Sequence, residues 1–390
     1  MRNSSSSTTL ARITAELASL CSQSQLRELS RTSGVDLSSN DYLNLSRDPR
    51  LKHAVLSSIE ADAALASGGS RLLSGNAPVW EELEAEFARF VGAESALFFS
   101  SGYAANIGVL SALVRPEDIV FSDCANHASL IDGIRLSRAR KVIFPHRDMN
   151  FLEHHLHRAA PELCEKFIVV ESLFSMEGDR PPLHDIAALA EKYGAAVIVD
   201  EAHATGVLGP EGRGLIAEAS LENKILASIH TCGKALASAG AFVAGPAALK
   251  RYLVNRARTF IFSTALPPYM AHQICAALKL ARTADDRRRH LLHLASVLRR
   301  RLKQAGLDTG RSDSQIVPVL LGANDVALGV AADLERAGFA LRAIRPPTVP
   351  DGTARLRISL HAGLSDAEVE RLAQALERSV EKQNACDLAV

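Results

Sequence analysis

Between Ser95 and Gly245 the chain alternates short β-rich runs with stretches of helical period, a pattern that leaves few architectures open. The runs are Ala96–Phe99, Ile119–Phe121, Val142–Phe144, Phe167–Val170, Ala195–Val199, Ile225–Ala227 and Ala241–Ala244. Such alternation argues for an α/β fold with a mostly parallel sheet and helices on both faces. The runs are continuously apolar rather than alternating, as strands buried on both sides are. Ligands of such sheets bind beyond the carboxyl ends of the strands. Chemistry is therefore expected in the residues that follow each run.

Around this segment the helical period is clear. Trp80, Leu83, Phe87 and Phe90 share one face of a helix capped by Asn76 and ending near Gly92. A helical stretch from Ala284 to Gly306 leads into a different pattern: Gln315–Leu321, Leu341–Ile344 and Leu356–Ser359, with a helix around Ala327–Ala337. That reads as a smaller C-terminal α+β domain. The expected division is an N-terminal arm over 1–48, a large domain over 49–285 and the small domain over 286–390, which suits 390 residues. No repeat of solenoid type is visible.

Forty-four basic and forty-four acidic side chains cancel, so no global field draws the chain to nucleic acid or an anionic membrane. A small-molecule partner is expected instead. The six cysteines are scattered with no Cys-x-x-Cys pair, which suits reduced thiols in a reducing compartment. Met1 to Leu10 reads as a frayed Ser/Thr-rich tail, not a signal or transit peptide. No uncharged apolar run approaches the ~20 residues of a membrane span. A soluble cytoplasmic protein is the expectation. His154, His155 and His157 lack carboxylate or thiolate partners nearby, so no metal site is expected.

Four segments carry candidate chemistry. Val197 to His203 is an apolar strand whose end delivers Asp200 and His203 to the ligand edge, although an acid there often only caps the next turn. Ser228 to Lys234 places a lysine among Gly, Ala and Ser. Lysine is usually a solvated charge, but desolvation favours the neutral nucleophile that forms Schiff bases. Phe98 to Asn106 runs from strand through a Ser/Gly turn into a helix, whose first N–H groups suit a phosphate. Asn126 to Leu130 offers His127, either a flat partner for an aromatic ligand or a satisfied turn histidine.

These residues resemble the α-oxoamine synthase family of fold-type I pyridoxal-phosphate enzymes, over about Ser38 to His361. The matching stretches are Ser39–Leu43, Gly68–Gly75, Ser101–Asn106, Asn126–Gly133, Glu171–Asp179, Asp200–Gly206, Thr231–Lys234 and Arg345–Pro350, in that order. The resemblance implies the aspartate aminotransferase-like fold, pyridoxal 5'-phosphate as cofactor and a homodimer with shared active sites. It implies that Lys234 binds the cofactor, Asp200 pairs with its ring nitrogen, His203 reaches its phenolic oxygen and His127 stacks on its ring. Gly102, Tyr103 and Thr231 would hold the phosphate, with Thr264 from the neighbouring subunit; Thr264 also reads as a helix cap before Pro267. Ser175, Asn40 and Arg345 would position an amino-acid carboxylate. Thr348 and Arg27, with Arg31 as the alternative, would line the acyl path. The implied reaction is decarboxylative condensation of L-alanine with a pimeloyl thioester, in biotin biosynthesis.

Three departures stand out: Tyr103 where relatives often have Phe, Asn44 where they often have Gly, and Trp80 where many have His. Glycine-using relatives, of the glycine C-acetyltransferase or 5-aminolevulinate synthase kind, and serine-using ones differ over the segment matching Gly68–Gly75. Two readings from other classes fare worse. Asp200-Glu-Ala-His203 matches the DEAH box of nucleic-acid ATPases, but the chain has no Gly-x-x-x-x-Gly-Lys-Ser/Thr loop. A DNA-binding regulator would need a recognition domain that the ~40 residues before Asn40 cannot hold.

Overall fold

Twelve strands are formed in the described residues, which are 4–29, 33–61 and 64–387 of the computed structural model. They are β1 (Val35–Asp36), β2 (Ser95–Phe99), β3 (Ile119–Asp123), β4 (Arg140–Phe144), β5 (Lys166–Glu171), β6 (Ala195–Asp200), β7 (Ala227–Thr231), β8 (Ala241–Gly245), β9 (Ile316–Gly322), β10 (Phe339–Ala340), β11 (Ala343–Ile344) and β12 (Ala354–Ser359). Seven of them build one sheet in the order β2-β8-β7-β6-β5-β3-β4. Only β8 runs against the others, pairing antiparallel with both β2 and β7. The remaining neighbours are parallel.

The apolar runs become strands that are mostly shielded from water, save β4 at the sheet edge, where Ile143 is exposed. Every residue of β3 and of β5 is buried. Leu97, Val169, Ile198 and Ile229 of the sheet pack with Val109 and Leu110 of helix Gly102–Leu113 and with Leu130 and Ile134 of helix Ala128–Ser137. One run lies two residues later than its apolar character suggests. Glu222–Lys224 form a tight 3-10 turn and Leu226 N–H bonds to the Val197 carbonyl at 2.9 Å. Ile225 is thus the approach to β7, which instead takes in Ser228 to Thr231.

Helix Pro78–Val91 ends on Gly92, whose φ of 74° is the left-handed cap that glycine tolerates. Its start differs from the expectation. Ala77 is the cap and Pro78 opens the first turn, where a missing N–H costs nothing. Asn76 instead accepts from Arg71 Nε at 2.7 Å and donates to Glu81 at 2.6 Å.

The chain divides into two compact units. One comprises Asn40–Leu291 with His361–Gly363 and contains the seven-stranded sheet. The other contains Leu292–Leu360, the chain from Leu364 and the chain up to Ser39. In it β9, β12 and β11 form an antiparallel sheet, and helix Asn324–Arg336 supplies buried Ala327, Val330 and Leu334. The leading arm is not a separate segment up to residue 48. β1 pairs in parallel with β10, Val35 opposite Phe339, and this ladder ties the arm to the small unit. Nor is its beginning frayed throughout, because residues from Ser4 form helix Ser4–Ser22, favoured by the Ala- and Leu-rich run behind them.

Candidate active site

Five connections leave the carboxyl edge of the large sheet, and each carries a residue singled out above. β2 leads to Gly102, β3 to His127, β5 to Ser175, β6 to Asp200 and His203, and β7 to Lys234. A cleft of about 190 Å³ lies there. Gly102, Tyr103, His127, Asp200, His203, Thr231 and Lys234 line it, together with Asn106 and Glu171.

Lys234 sits in the hairpin between β7 and β8. The loop is closed by Cys232 N–H to the Gly240 carbonyl and Ser238 N–H to the Cys232 carbonyl, both 2.9 Å. Gly240 has a φ of 88°, and a Cβ there would come within 2.1 Å of the Phe98 ring, so only glycine closes the loop. The Lys234 amine points at His203, with Nζ 2.7 Å from Nε2. On its other side His203 Nδ1 is 2.7 Å from the hydroxyl of Tyr42, which is fully buried. That hydroxyl donates to Asn40 Oδ1 at 3.0 Å.

The opposite wall is a second hydrogen-bonded chain. Asn106 Nδ2 donates to Asp200 Oδ2 at 2.7 Å and to Ser129 Oγ at 2.9 Å. The serine proton is then free for His127 Nδ1, 2.7 Å away, which also accepts Ser129 N–H at 3.3 Å. His127 therefore carries its proton on Nε2. Burial holds its pKa below the ordinary histidine value despite Asp200, so at neutral pH it is an uncharged flat ring. Asp200 also accepts Ala202 N–H at 2.8 Å, which fixes the carboxylate at the strand end.

Glu171 is the register neighbour of Asp200. Burial, reinforced by the Asp200 charge, pushes its carboxyl well above the usual range. Its Oε2 accepts Ser175 N–H at 3.2 Å. The far end of the Ser175 loop is clamped by His146, whose Nδ1 lies 2.9 Å from Asp123 and whose Nε2 lies 3.1 Å from Asp179. Burial alone would depress His146, but hydrogen bonds to the two aspartates prevail and raise its pKa to about 9. A pKa raised on folding stabilises the native state fully below the unfolded value near 6.5, and the contribution is lost as pH rises through 9. Discounted for a ring about a quarter exposed, the loss is on the order of 2 kcal/mol. Between pH 6.5 and 9 the denaturation midpoint of the native protein should fall, and His146→Gln should flatten that slope.

At the end of β2, Ser101 Oγ caps helix Gly102–Leu113 by accepting Ala104 N–H at 3.0 Å. The first amides of that helix have no carbonyl of their own turn to bond, and with the helix dipole they favour an anion. Thr231 lies beside Gly102. Tyr103 is half-exposed, hydrogen-bonds Asp132 and meets His127 edge-on, with ring centroids 6.2 Å apart. A helix N-terminus, a neutral imidazole, a carboxylate and an amine around one cleft suit a flat aromatic phosphate ester carrying an aldehyde. The buried Asn106 Oδ1 and Glu171 Oε1, each without a hydrogen-bond partner, add acceptor capacity on the same wall.

Thr264 does not cap the following helix, which starts at Pro268 behind Pro267. It forms an isolated antiparallel bridge with Ser70, and the nearby side chains of Leu73 and Phe262 are exposed. The small unit holds the other three candidates together. Arg27 Nη2 donates to Thr348 Oγ1 and to the Pro346 carbonyl, both at 3.3 Å. Arg345 Nη1 and Nη2 donate to the carbonyls of Ser24 and Leu26. Arg31 lies outside the described residues.

Glu201 of the DEAH-like tetrapeptide turns away from the cleft. It accepts Leu215 and Ile216 N–H, both at 2.9 Å, and burial pushes its pKa up to about 7. It supports a loop rather than a metal-bound nucleotide. His154 and His157 are exposed on helix Met149–Ala159, and His155 stacks on Phe151. Reading the sequence assigned no role to Tyr42, Asn106, Glu171 or His146. The first three lie inside the quoted motifs, which was the available signal.

Residues 32–376 match the family described as aminotransferase class I and II. An 8-amino-7-oxononanoate synthase of Aromatoleum aromaticum is 48% identical over 340 residues, 87% of each chain. Among solved structures, the 8-amino-7-oxononanoate synthase of Francisella tularensis superposes with a TM-score of 0.79 at 30% identity, covering 90% of this chain and 99% of its own. A lysine-to-alanine variant of serine palmitoyltransferase from S. paucimobilis, solved with PLP and myriocin bound, gives 0.88 at 29% identity, covering 97% and 99%.

Proposed function

This chain belongs to the aminotransferase class I and II family, as a pyridoxal-phosphate-dependent acyltransferase, and from that premise we propose that it makes 8-amino-7-oxononanoate from L-alanine and a pimeloyl thioester. Carbon dioxide and the free thiol of coenzyme A or of an acyl carrier are the other products. What carries the reading is one amine, Lys234, set among Asp200, His127 and His203 in one cleft at the carboxyl edge of the sheet, in a chain 48% identical to a protein named for that activity.

In this reading Gly102, Tyr103 and Thr231 would take the phosphate, His127 would lie against the ring, Asp200 would pair with the ring nitrogen and His203 with the phenolic oxygen. When bound, pyridoxal phosphate supplies an electron sink conjugated to Cα of the amino acid. Lys234 first holds the cofactor, then takes the Cα proton of alanine at Nζ and later returns one. His203, 2.7 Å away, keeps that amine in place between the two duties. Asp200 would be held in place opposite the ring nitrogen, with its two oxygens fixed by Asn106 and by the Ala202 amide. Ser175, Asn40 and Arg345 would bind the amino-acid carboxylate, and Thr348 and Arg27 would line the acyl path.

A twofold homodimer with Thr264 serving the partner's phosphate site completes the proposal, supported by the exposed Leu73 and Phe262 beside that threonine. The working compartment would be the cytoplasm; among the described residues no helix is long and apolar enough to cross a membrane.

The test is a panel of alanine, glycine and serine, each with pimeloyl, succinyl, acetyl and palmitoyl thioesters. Alanine with the pimeloyl thioester should exceed every other pair in kcat/KM by about tenfold or more, the scale on which pockets separate substrates. If glycine with a short thioester wins, the chain is another α-oxoamine synthase. That outcome removes the named product and leaves the class standing.

A further inference from the structure

Tyr42 has no part in the chemistry above, yet it stands directly behind the histidine that faces the lysine. It is fully buried in the turn after Asn40, with its own N–H on the Asn40 carbonyl at 2.8 Å. Its hydroxyl touches Asn40 Oδ1 at 3.0 Å and His203 Nδ1 at 2.7 Å, while His203 Nε2 touches Lys234 Nζ at 2.7 Å. A phenol has one proton to give, and an amide oxygen only accepts. The Tyr42 proton goes to Asn40, so its contact with His203 runs the other way and Nδ1–H is the donor. A neutral imidazole protonated at Nδ1 presents a lone pair at Nε2. A lysine ammonium has only donors to offer, and it meets that lone pair. The contacts form one directed chain from Lys234 through His203 and Tyr42 to Asn40.

We propose that Tyr42 is a positioning residue that fixes His203 as the Nδ1–H tautomer in the cofactor-free protein, keeping Nε2 open as an acceptor for the Lys234 amine, with Asn40 setting the direction of the chain. The proposal rests on the reading that Lys234 and His203 serve the reaction, and it deepens that reading. By holding Nδ1, Tyr42 keeps Nε2 aimed at the amine and, when the cofactor is bound, would aim it at the phenolic oxygen.

The experiment reads the tautomer directly. Cofactor-free protein labelled with nitrogen-15 at histidine is examined by NMR at a pH where the ring is neutral, with the His203 signals identified by their loss in His203→Gln. The native ring should show the Nδ1–H pattern. In a Lys234→Ala background, which removes the ammonium that also selects a lone pair at Nε2, Tyr42→Phe should lose it, and Asn40→Ala, which frees the Tyr42 proton to turn toward Nδ1, should reverse the ring to Nε2–H. A native ring already protonated at Nε2, or an Asn40→Ala or Tyr42→Phe ring still held as Nδ1–H in that background, overturns the proposal. If Tyr42→Phe does not fold, the native and Asn40→Ala spectra decide it alone. In the loaded enzyme Tyr42→Phe should lower kcat by about tenfold or more with little change in KM for the amino acid; an unchanged kcat counts against it. The tautomer is measured without cofactor or substrate, so a wrong substrate assignment leaves this result intact.

Discussion

Replacing Lys234 with alanine should remove the visible absorbance of the lysine-bound cofactor and lower turnover by about 10⁴-fold or more, the upper range for loss of a positioned general base. No other amine substitutes within the cleft, because Lys234 is its sole lysine lining residue and neither imidazole forms a stable bond to an aldehyde carbon. The cofactor itself should still bind, since its phosphate, ring and ring nitrogen would be held by Gly102, His127 and Asp200. The Lys234→Ala protein should therefore take up pyridoxal phosphate with the spectrum of the free aldehyde. A Lys234→Ala enzyme with native turnover would sink the assignment. The same variant tests the shared site. Mixed with a Thr264→Ala chain under conditions of subunit exchange, it should restore part of the activity, because one composite site then carries both lesions and the other neither. Confirmed exchange without recovery would remove Thr264 from the partner's site.

The largest stability effect is expected far from any chemistry, at Glu84. Its carboxylate is almost fully buried on helix Pro78–Val91. Oε1 accepts Arg71 Nη1 at 2.9 Å and Phe98 N–H at 3.0 Å, and Oε2 accepts Lys250 Nζ at 2.7 Å. One side chain thus joins a helix, the loop around Arg71, strand β2 and helix Ala247–Arg256. Glu84→Ala leaves the buried Arg71 guanidinium without its counter-charge and the buried Phe98 amide of the edge strand β2 without its acceptor. Breaking a buried pair from one side costs about 3–5 kcal/mol, which should appear as a lower denaturant midpoint at unchanged slope. Glu84→Gln keeps an acceptor for Phe98 N–H and should fall between the two. A loss under about 1 kcal/mol for the alanine variant would show that the network is dispensable.

Glu84 also shows where the sequence could have been read further. Trp80, Glu84, Phe87 and Val91 share one helical face by spacing alone, so the carboxylate was marked for burial by its position. What spacing could not supply was its partners, 13 and 166 residues away along the chain. The large sheet was legible because most of its strands are buried on both faces and carry apolar runs, β4 at the edge being the exposed exception. β7 was misplaced by two residues because the apolar run Ile225–Ala227 ends where the strand begins, and three of the strand's five residues, Ser228, His230 and Thr231, are polar. Lys234, Asp200, His203 and His127 were legible as residues that follow strands, and the cleft gathers all four. Tyr42, Asn106 and Glu171 were not, because their importance lies in which atom each holds: Nδ1 of one histidine, the carboxylate of Asp200, the amide of Ser175. His146 gave no signal at all, since its partners come from two other loops.

The reversed strand β8 has a kinetic meaning. It returns at once from β7, so the lysine rides a loop pinned at both ends, with Gln273 Nε2 donating to the Ala237 carbonyl at 3.0 Å as a further tether. The backbone of that loop has nowhere to go. Whatever swing the amine makes between its two duties is made by side-chain torsions, which interconvert in picoseconds to nanoseconds, rather than by a loop excursion a thousandfold slower. On the proposed mechanism the return of Lys234 should then outpace the steps that break carbon bonds, leaving turnover to chemistry and to product departure.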